Sequence, residues 1–224
     1  KLELRRDASR WASNNSPRTF LGTSRTLSPG DRSYLPLKLL GGSIAFTVDV
    51  ASIGCSCIAA VYLVALPAVD ARGNRVQGPE SYCDAVGWDG YPCPEFDLLE
   101  ANRFAMTTTL HPCMPMDSAP ERWRDNLLTN PRFPRAEGSY HGACDNWGCA
   151  ANSRSLNQHA KAYGPGRQYS INTMAPYRVE VAFPLGGDGS LHDVEVTLSQ
   201  RGRTLRVPFG CDYDALRLMT PPLR

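Results

Sequence analysis

The stretch Cys93-Pro94-Glu95-Phe96-Asp97-Leu98-Leu99-Glu100-Ala101-Asn102 sets the strictest condition on how this chain folds. It places three carboxylates within six residues and fills the gaps with apolar side chains. Phe96, Leu98 and Leu99 call for a core, whereas Glu95, Asp97 and Glu100 call for water, a partner or a substrate. A strand with one buried and one acidic face meets both demands, because successive strand side chains point to opposite faces. Strict alternation pairs Glu95 with Asp97 and leaves Glu100 on the wrong parity. One β-bulge, adding a residue to this strand, returns Glu100 to the acidic face.

That geometry carries a chemical implication. The two glutamates then lie about four strand steps apart, roughly 13 Å between Cα atoms at ~3.3 Å per step. Side chains leaning toward each other close this to the ~5–5.5 Å carboxylate separation of a retaining glycosidase. Asp97 between them would hold the nucleophile by hydrogen bond and help keep the pair's pKa values apart. The competing reading is a solvated acidic strand face with no chemistry, and these residues alone leave both open.

The chain has 224 residues, enough for one large domain with a substantial core, and a single unit over 1–224 is expected. Its 42% hydrophobic and 21% charged content is that of a globular chain. A formal net charge of +2 argues against nucleic acid or an anionic membrane as partner. The longest apolar run, residues 57–69, is interrupted by Tyr62 and Pro67 and is too short to cross a bilayer as a helix. Eight dispersed cysteines, with 18 Pro and 19 Gly, point to disulfides and an oxidising compartment. Zinc is the competitor, but there is no Cys-x-x-Cys pair and only four histidines are present, so no metal site is expected. The chain begins at Lys1 without Met or a signal peptide, as a mature form or a fragment would. Its one glycosylation sequon, Asn14-Asn15-Ser16, is disfavoured by Pro17.

Strand patterns dominate from residue 43 onward. Ile44, Phe46, Val48 and Val50 share one face of a strand over 43–50. Residues 58–66 are apolar on both faces and read as a central strand of a sandwich. Residues 95–101 form the acidic strand, with 106–110 extending it or starting the next. Strands are expected at 178–183, 194–199 and 204–209, joined by Gly186-Gly187-Asp188-Gly189 and Gln200-Arg201-Gly202-Arg203 as hairpin turns. Short strands are allowed at 1–5 and 19–21, and Ser118 could cap a helix running to 128. The tail from 213 to 224 shows no readable pattern. Together these elements predict an all-β, two-sheet antiparallel sandwich with long loops.

Several segments, taken in order, resemble glycoside hydrolase family 7, the fungal-type cellobiohydrolases and endoglucanases. Glu95-Phe96-Asp97-Leu98-Leu99-Glu100-Ala101-Asn102 matches the family pattern Glu-x-Asp-x-x-Glu-Ala-Asn, and Thr109-Leu110-His111-Pro112-Cys113 matches its His-Pro-Cys. Upstream, Phe46-Thr47-Val48-Asp49-Val50, Cys55, Ala60-Val61-Tyr62-Leu63-Val64 and Tyr82-Cys83-Asp84 follow the family order. Downstream, Gly142-Ala143-Cys144-Asp145, Gly148-Cys149, Tyr163-Gly164-Pro165-Gly166 and Pro176-Tyr177-Arg178-Val179 do the same. The resemblance covers roughly residues 36–185.

It implies a concanavalin-like jelly roll with a glucan cleft, hydrolysing β-1,4-glucosidic bonds with retention. Glu95 would be the nucleophile, Asp97 its supporting carboxylate, Glu100 the general acid/base and His111 the histidine beside it. Tyr62, Tyr82, Asp84 and Trp147 would face substrate, with a β-glucan as the partner, no metal or organic cofactor, and a secreted monomer expected. By the same correspondence Cys83 pairs with Cys93, Cys113 with Cys144, and Cys149 with Cys211. Only nine residues separate Cys83 from Cys93, and such short loops imply an open cleft and internal chain cleavage. The chain departs from the family at Leu99, where a tryptophan is usual, and at Ile58, where an asparagine is usual. Trp147 takes the place of an acidic residue, and Ser139 that of a basic one. These departures motivate the alternative, a non-catalytic glucan-binding or structural extracellular protein on the same fold, with Trp88, Trp147 and Tyr82 as stacking aromatics.

Overall fold

The computed structural model describes residues 19–21, 34–35, 37–68, 70, 74–76, 82–87, 92–121, 123, 143–157 and 161–223. The strands are β1 (Ser43–Val48), β2 (Ala59–Val64), β3 (Glu95–Ala101), β4 (Met106–His111), β5 (Cys113–Met114), β6 (Ala143–Cys144), β7 (Cys149–Asn152), β8 (Tyr163–Gly164), β9 (Ile171–Asn172), β10 (Tyr177–Ala182), β11 (Glu195–Gln200) and β12 (Arg203–Val207). Two short helices, α1 (Ser153–Asn157) and α2 (Tyr213–Met219), complete the described elements of any length. Two four-stranded sheets, ordered β1-β10-β11-β12 and β2-β3-β4-β7, are antiparallel throughout.

The sheets are held together by the apolar faces that alternation creates. Tyr177, Val179 and Val181 of β10 and Val196 and Leu198 of β11 are buried, while their neighbours Arg178 and Glu195 are exposed. From the other sheet come Phe96, Leu98, Leu99, Met106 and Leu110, all in the same core cluster. Phe96 meets Phe183 and Phe209 edge-on, with ring centroids 5.9 and 6.1 Å away. A buried leucine side chain contributes about 1.5–3 kcal/mol, so this interface dominates the fold energetically. The β11–β12 hairpin closes through Arg201 and Gly202, both at positive φ (49° and 77°), as a two-residue turn matched to the strand twist requires.

Three expectations change. Residues 58–66 do not form a central strand: β2 lies at an edge of its sheet among the described residues, with Ile58 64% and Val61 37% exposed. An apolar run on both faces therefore does not mean burial on both faces here, because the outer face of this sheet carries the acidic residues described below. Residues 19–21 are not a strand; the Leu35 N–H donates to the Leu21 carbonyl and the Phe20 ring lies 5.9 Å from that of Tyr34. The tail holds α2. Asp212 caps it by accepting from the Ala215 N–H, and Leu216, Met219 and Leu223 enter the main core. The proposed strand at 1–5 lies outside the described residues, as does most of the helix to 128. Cys55 and Cys57 lie in the turn before β2, exposed and unbridged.

Three disulfides join Cys83 to Cys93, Cys113 to Cys144 and Cys149 to Cys211. The last ties the start of β7 to the segment entering α2 across 62 residues. In the chain-entropy account a loop of that size restricts the unfolded state by about 4 kcal/mol. Replacing both Cys149 and Cys211 by Ser is expected to cost about that much in guanidinium unfolding, with the sheets otherwise intact by circular dichroism.

Candidate active site

The site is built on an irregularity in β3. On one side Tyr62 faces Asp97 and Val61 faces Leu99; on the other Asp97 faces Thr109 and Glu100 faces Thr107. Leu98 and Leu99 together therefore oppose the single residue Thr108, which is a β-bulge. Both leucines are buried, at 0% and 1% exposure, so the extra residue is absorbed on the core face. Without the bulge Leu99 would turn outward and Glu100 inward. That would forfeit the burial of a leucine and place a carboxylate among apolar side chains, a far larger cost. At the bulge the Thr108 hydroxyl donates to the Asp97 carbonyl at 2.9 Å.

Glu95, Asp97 and Glu100 consequently share the outer face. The register sets Glu95 beside Val64 and His111, Asp97 beside Tyr62 and Thr109, and Glu100 beside Ala60 and Thr107. His111 reaches diagonally, with Nε2 3.1 Å from Asp97 Oδ2. Its Nδ1 donates to the Asp145 carbonyl at 2.7 Å. Both ring nitrogens thus face acceptors, and only the imidazolium donates to both. Burial works against that charge, but the bonds to Asp97 and the Asp145 carbonyl, with the nearby negative charge of Asp97 and Glu95, outweigh it and raise the His111 pKa.

The carboxylates are held reluctantly. Burial, and then the charge of Asp97, push Glu95 up to about 7; Asp84 adds to this, while the Ala85 N–H and His111 oppose it. Burial followed by Asp97 also raises Glu100, against the pull of His111. The Ala85 N–H donates to Glu95 Oε2 at 3.0 Å. Ala85 is presented by the Cys83–Cys93 loop, where the buried Asp84 accepts from the Gly87 N–H at 2.7 Å and its carbonyl accepts from the Cys93 N–H at 2.9 Å.

The loop over His111 is equally constrained. Cys144 and Cys149 bound it, each bridged elsewhere, and Asp145 Oδ1 accepts from the Trp147 and Gly148 N–H groups. Gly148 has φ of +62°, and a Cβ there would meet the Leu110 carbonyl at 2.5 Å and His111 Nδ1 at 2.8 Å. Only glycine lets this loop close onto the histidine.

Of the expected substrate-facing residues, Tyr62 has its hydroxyl 3.3 Å from that of Tyr82. Tyr82 is 7% exposed, edge-on to Phe20, so it is packed rather than displayed. Asp84 is buried in the loop beside Glu95, and Trp147 is 81% exposed on the loop beside His111. Trp88 lies outside the described residues. The residues that reading the sequence missed are Ala85, Asp145 and Thr108, which act through backbone groups or a core-side hydroxyl, and Gly148. Only Gly148 carried a signal, as the glycine of a short cysteine-bounded loop.

A two-sheet antiparallel sandwich bearing a carboxylate row on the outer face of one sheet belongs to the jelly-roll class. The family model described as glycosyl hydrolase family 7 matches residues 69–210, well over half the chain. The chain belongs to that family. The curated endoglucanase EG-1 of Humicola insolens is 26% identical over 207 residues, covering 85% of this chain and 43% of that protein. Among solved structures, endoglucanase I complexed with cellobiose aligns with a TM-score of 0.58 at 23% identity, over 77% of this chain and 45% of that one. A family 7 cellobiohydrolase from Daphnia pulex aligns with a TM-score of 0.60 at 21% identity, over 84% and 56%. The chain spans about half the length of the relatives it matches.

Two measurements test this geometry. Gly148→Ala is expected to lower the melting temperature and lower the His111 pKa, read by imidazole NMR titration, because the Asp145 carbonyl is driven off Nδ1. The second concerns Glu95, whose folded pKa of about 7 exceeds its reference of 4.5. The folded state therefore holds the proton more tightly, and stability falls as pH rises from 4.5 toward 7. Glu95→Gln removes that penalty, so it should stabilise the fold by about 1–3 kcal/mol at pH 8 and leave it unchanged at pH 4.

Proposed function

We propose that the chain is a retaining endo-β-1,4-glucanase acting on cellulose-like glucans in an open cleft over the outer face of β2-β3-β4-β7. The observation that carries this reading is the β3 bulge, which sets Glu95, Asp97 and Glu100 on one face with His111 bonded to Asp97. Glu100 protonates the leaving glycosidic oxygen while Glu95 attacks the anomeric carbon and forms a glycosyl–enzyme ester. Water then attacks that carbon, gives its proton to Glu100, and releases the sugar with its original configuration and Glu95 ionised. The Ala85 N–H on Oε2 favours ionised Glu95 and leaves Oε1 for attack. Asp97, compensated by His111, keeps the row from losing its shape as protons move. Tyr62 and Trp147 line the approach, with Tyr82 behind the Tyr62 hydroxyl and Asp84 buried in the loop beside Glu95. The chemistry asks for no metal or organic cofactor.

Internal cleavage is supported by the short Cys83–Cys93 connection beside Glu95 and by the endoglucanases among the relatives. Solved relatives hold cellobiose and cellotetraose, which supports a β-1,4-linked partner. Three disulfides fit a secreted protein.

Turnover needs Glu95 ionised and Glu100 protonated. In the free site the raised proton affinity of Glu95 runs against its role. The positive charge that builds at the anomeric carbon favours ionised Glu95 as the reaction proceeds. The rate is therefore expected to be bell-shaped in pH, peaking in the mildly acidic range below about 7.

With a soluble cellulose derivative, the folded chain should lower viscosity faster than it releases reducing ends, and NMR should show the β-anomer first. Glu95→Gln and Glu100→Gln should each lower kcat by at least about 1,000-fold. Binding without turnover by the folded parent would reject the enzyme and leave the glucan-binding alternative.

A further inference from the structure

A bulged strand can shed its extra residue by sliding one step, and a one-residue slip turns every side chain to the other face. Such a slip in β3 would send Glu100 inward and Ala101 outward. Something must therefore hold the strand beyond the bulge. The polar groups of Asn102, the residue after β3, converge on that task. Its N–H donates to the Ala105 carbonyl at 2.9 Å. Its Oδ1 accepts from the Phe104 and Ala105 N–H groups at 2.8 and 3.0 Å. Its Nδ2 donates to the Cys57 carbonyl at 3.1 Å, in the turn that feeds β2. Its carbonyl accepts from the Tyr163 hydroxyl at 2.9 Å.

Tyr163 is fully buried, and its hydroxyl also lies 3.0 Å from that of Tyr177. The single Tyr163 proton goes to the Asn102 carbonyl, so Tyr177 donates to Tyr163. Tyr177 belongs to β10 in the opposite sheet. A hydrogen-bonded line thus runs from the other sheet to the end of the acidic strand, two residues past Glu100. An ordinary asparagine turn would need only the three bonds within 102–105. The links to Cys57 and Tyr163 fix that turn against two further elements.

We propose that Asn102, held by Tyr163, is the positioning residue that locks the β3 register and so keeps Glu100 on the outer face. This deepens the hydrolase reading and rests on Glu100 being its acid/base. Glu100 is raised above 4.5 by burial first. A register slip that turns Glu100 inward deepens that burial, and its pKa then rises further above the reference.

The test is a carboxyl ¹³C NMR titration of Glu100 in the parent, in Asn102→Ala and in Tyr163→Phe, with Leu198→Ala as a core-destabilised control from β11. A rise in the Glu100 pKa in the first two variants, by roughly half a unit or more, and none in the control supports the lock. Activity should then show kcat reduced by up to about 100-fold with KM within about two-fold. Tyr163→Phe keeps the ring, so it remains informative if Asn102→Ala does not fold. An unchanged or lowered Glu100 pKa in folded variants overturns the proposal, as does an equal rise in Leu198→Ala. A parent with no turnover but an Asn102-dependent Glu100 titration supports the lock and overturns only the hydrolase reading.

Discussion

The structure depends on one conflict and its resolution. β3 must bury Phe96, Leu98, Leu99 and Ala101 while showing Glu95, Asp97 and Glu100 to the outside, and a regular strand cannot do both. The bulge opposite Thr108 is the local answer, and the hydrophobic effect selects it. Leu99 is worth most when buried and Glu100 costs most when buried, so both point to the same register. Packing of Phe96 against Phe183 and Phe209 fixes the strand on one side of the bulge, and Asn102 holds it on the other. The geometry of the acidic row is thus a product of the core beneath it.

Gathering carboxylates this way has an electrostatic cost. Burial and mutual repulsion raise both glutamates, and the protein offsets this with few groups: the charged His111 and one backbone N–H from Ala85. Neither comes from β3. The Cys83–Cys93 bridge secures the loop that carries Ala85, and the Cys113–Cys144 and Cys149–Cys211 bridges flank the loop whose carbonyl orients His111. The disulfides therefore act on the site as well as on the unfolded chain, by limiting the movement of loops that would otherwise retreat from a crowded negative face. A site whose stability falls as its glutamates ionise is one where function and stability are set against each other.

The fold was largely legible where alternation was clean. The strands at β1, β3, β10 and β11, the turn at Arg201-Gly202 and the sandwich itself follow from period-two patterns and turn residues. Legibility failed where a pattern has two physical causes. The apolar run at β2 looked central, yet among the described residues it lies on an edge, because apolar residues can lie on an open outer face as well as in a core. α2 was hidden because seven residues give too few repeats for a helical period to show, although Asp212 is a good cap.

For the acidic row, the residue types and their spacing already required that Glu95, Asp97 and Glu100 share a face through a bulge. That follows from sequence because strand geometry and the cost of burying charge are local rules. Which loops close over that face, where Asp145 places its carbonyl, how Ala85 meets Glu95 and how Tyr163 reaches Asn102 were decided only by the tertiary structure. Those contacts join residues up to 61 positions apart and run through backbone groups or buried hydroxyls. A backbone N–H or carbonyl is the same at every position, so no residue identity announces it, and only the packing of the two sheets brings it to the site.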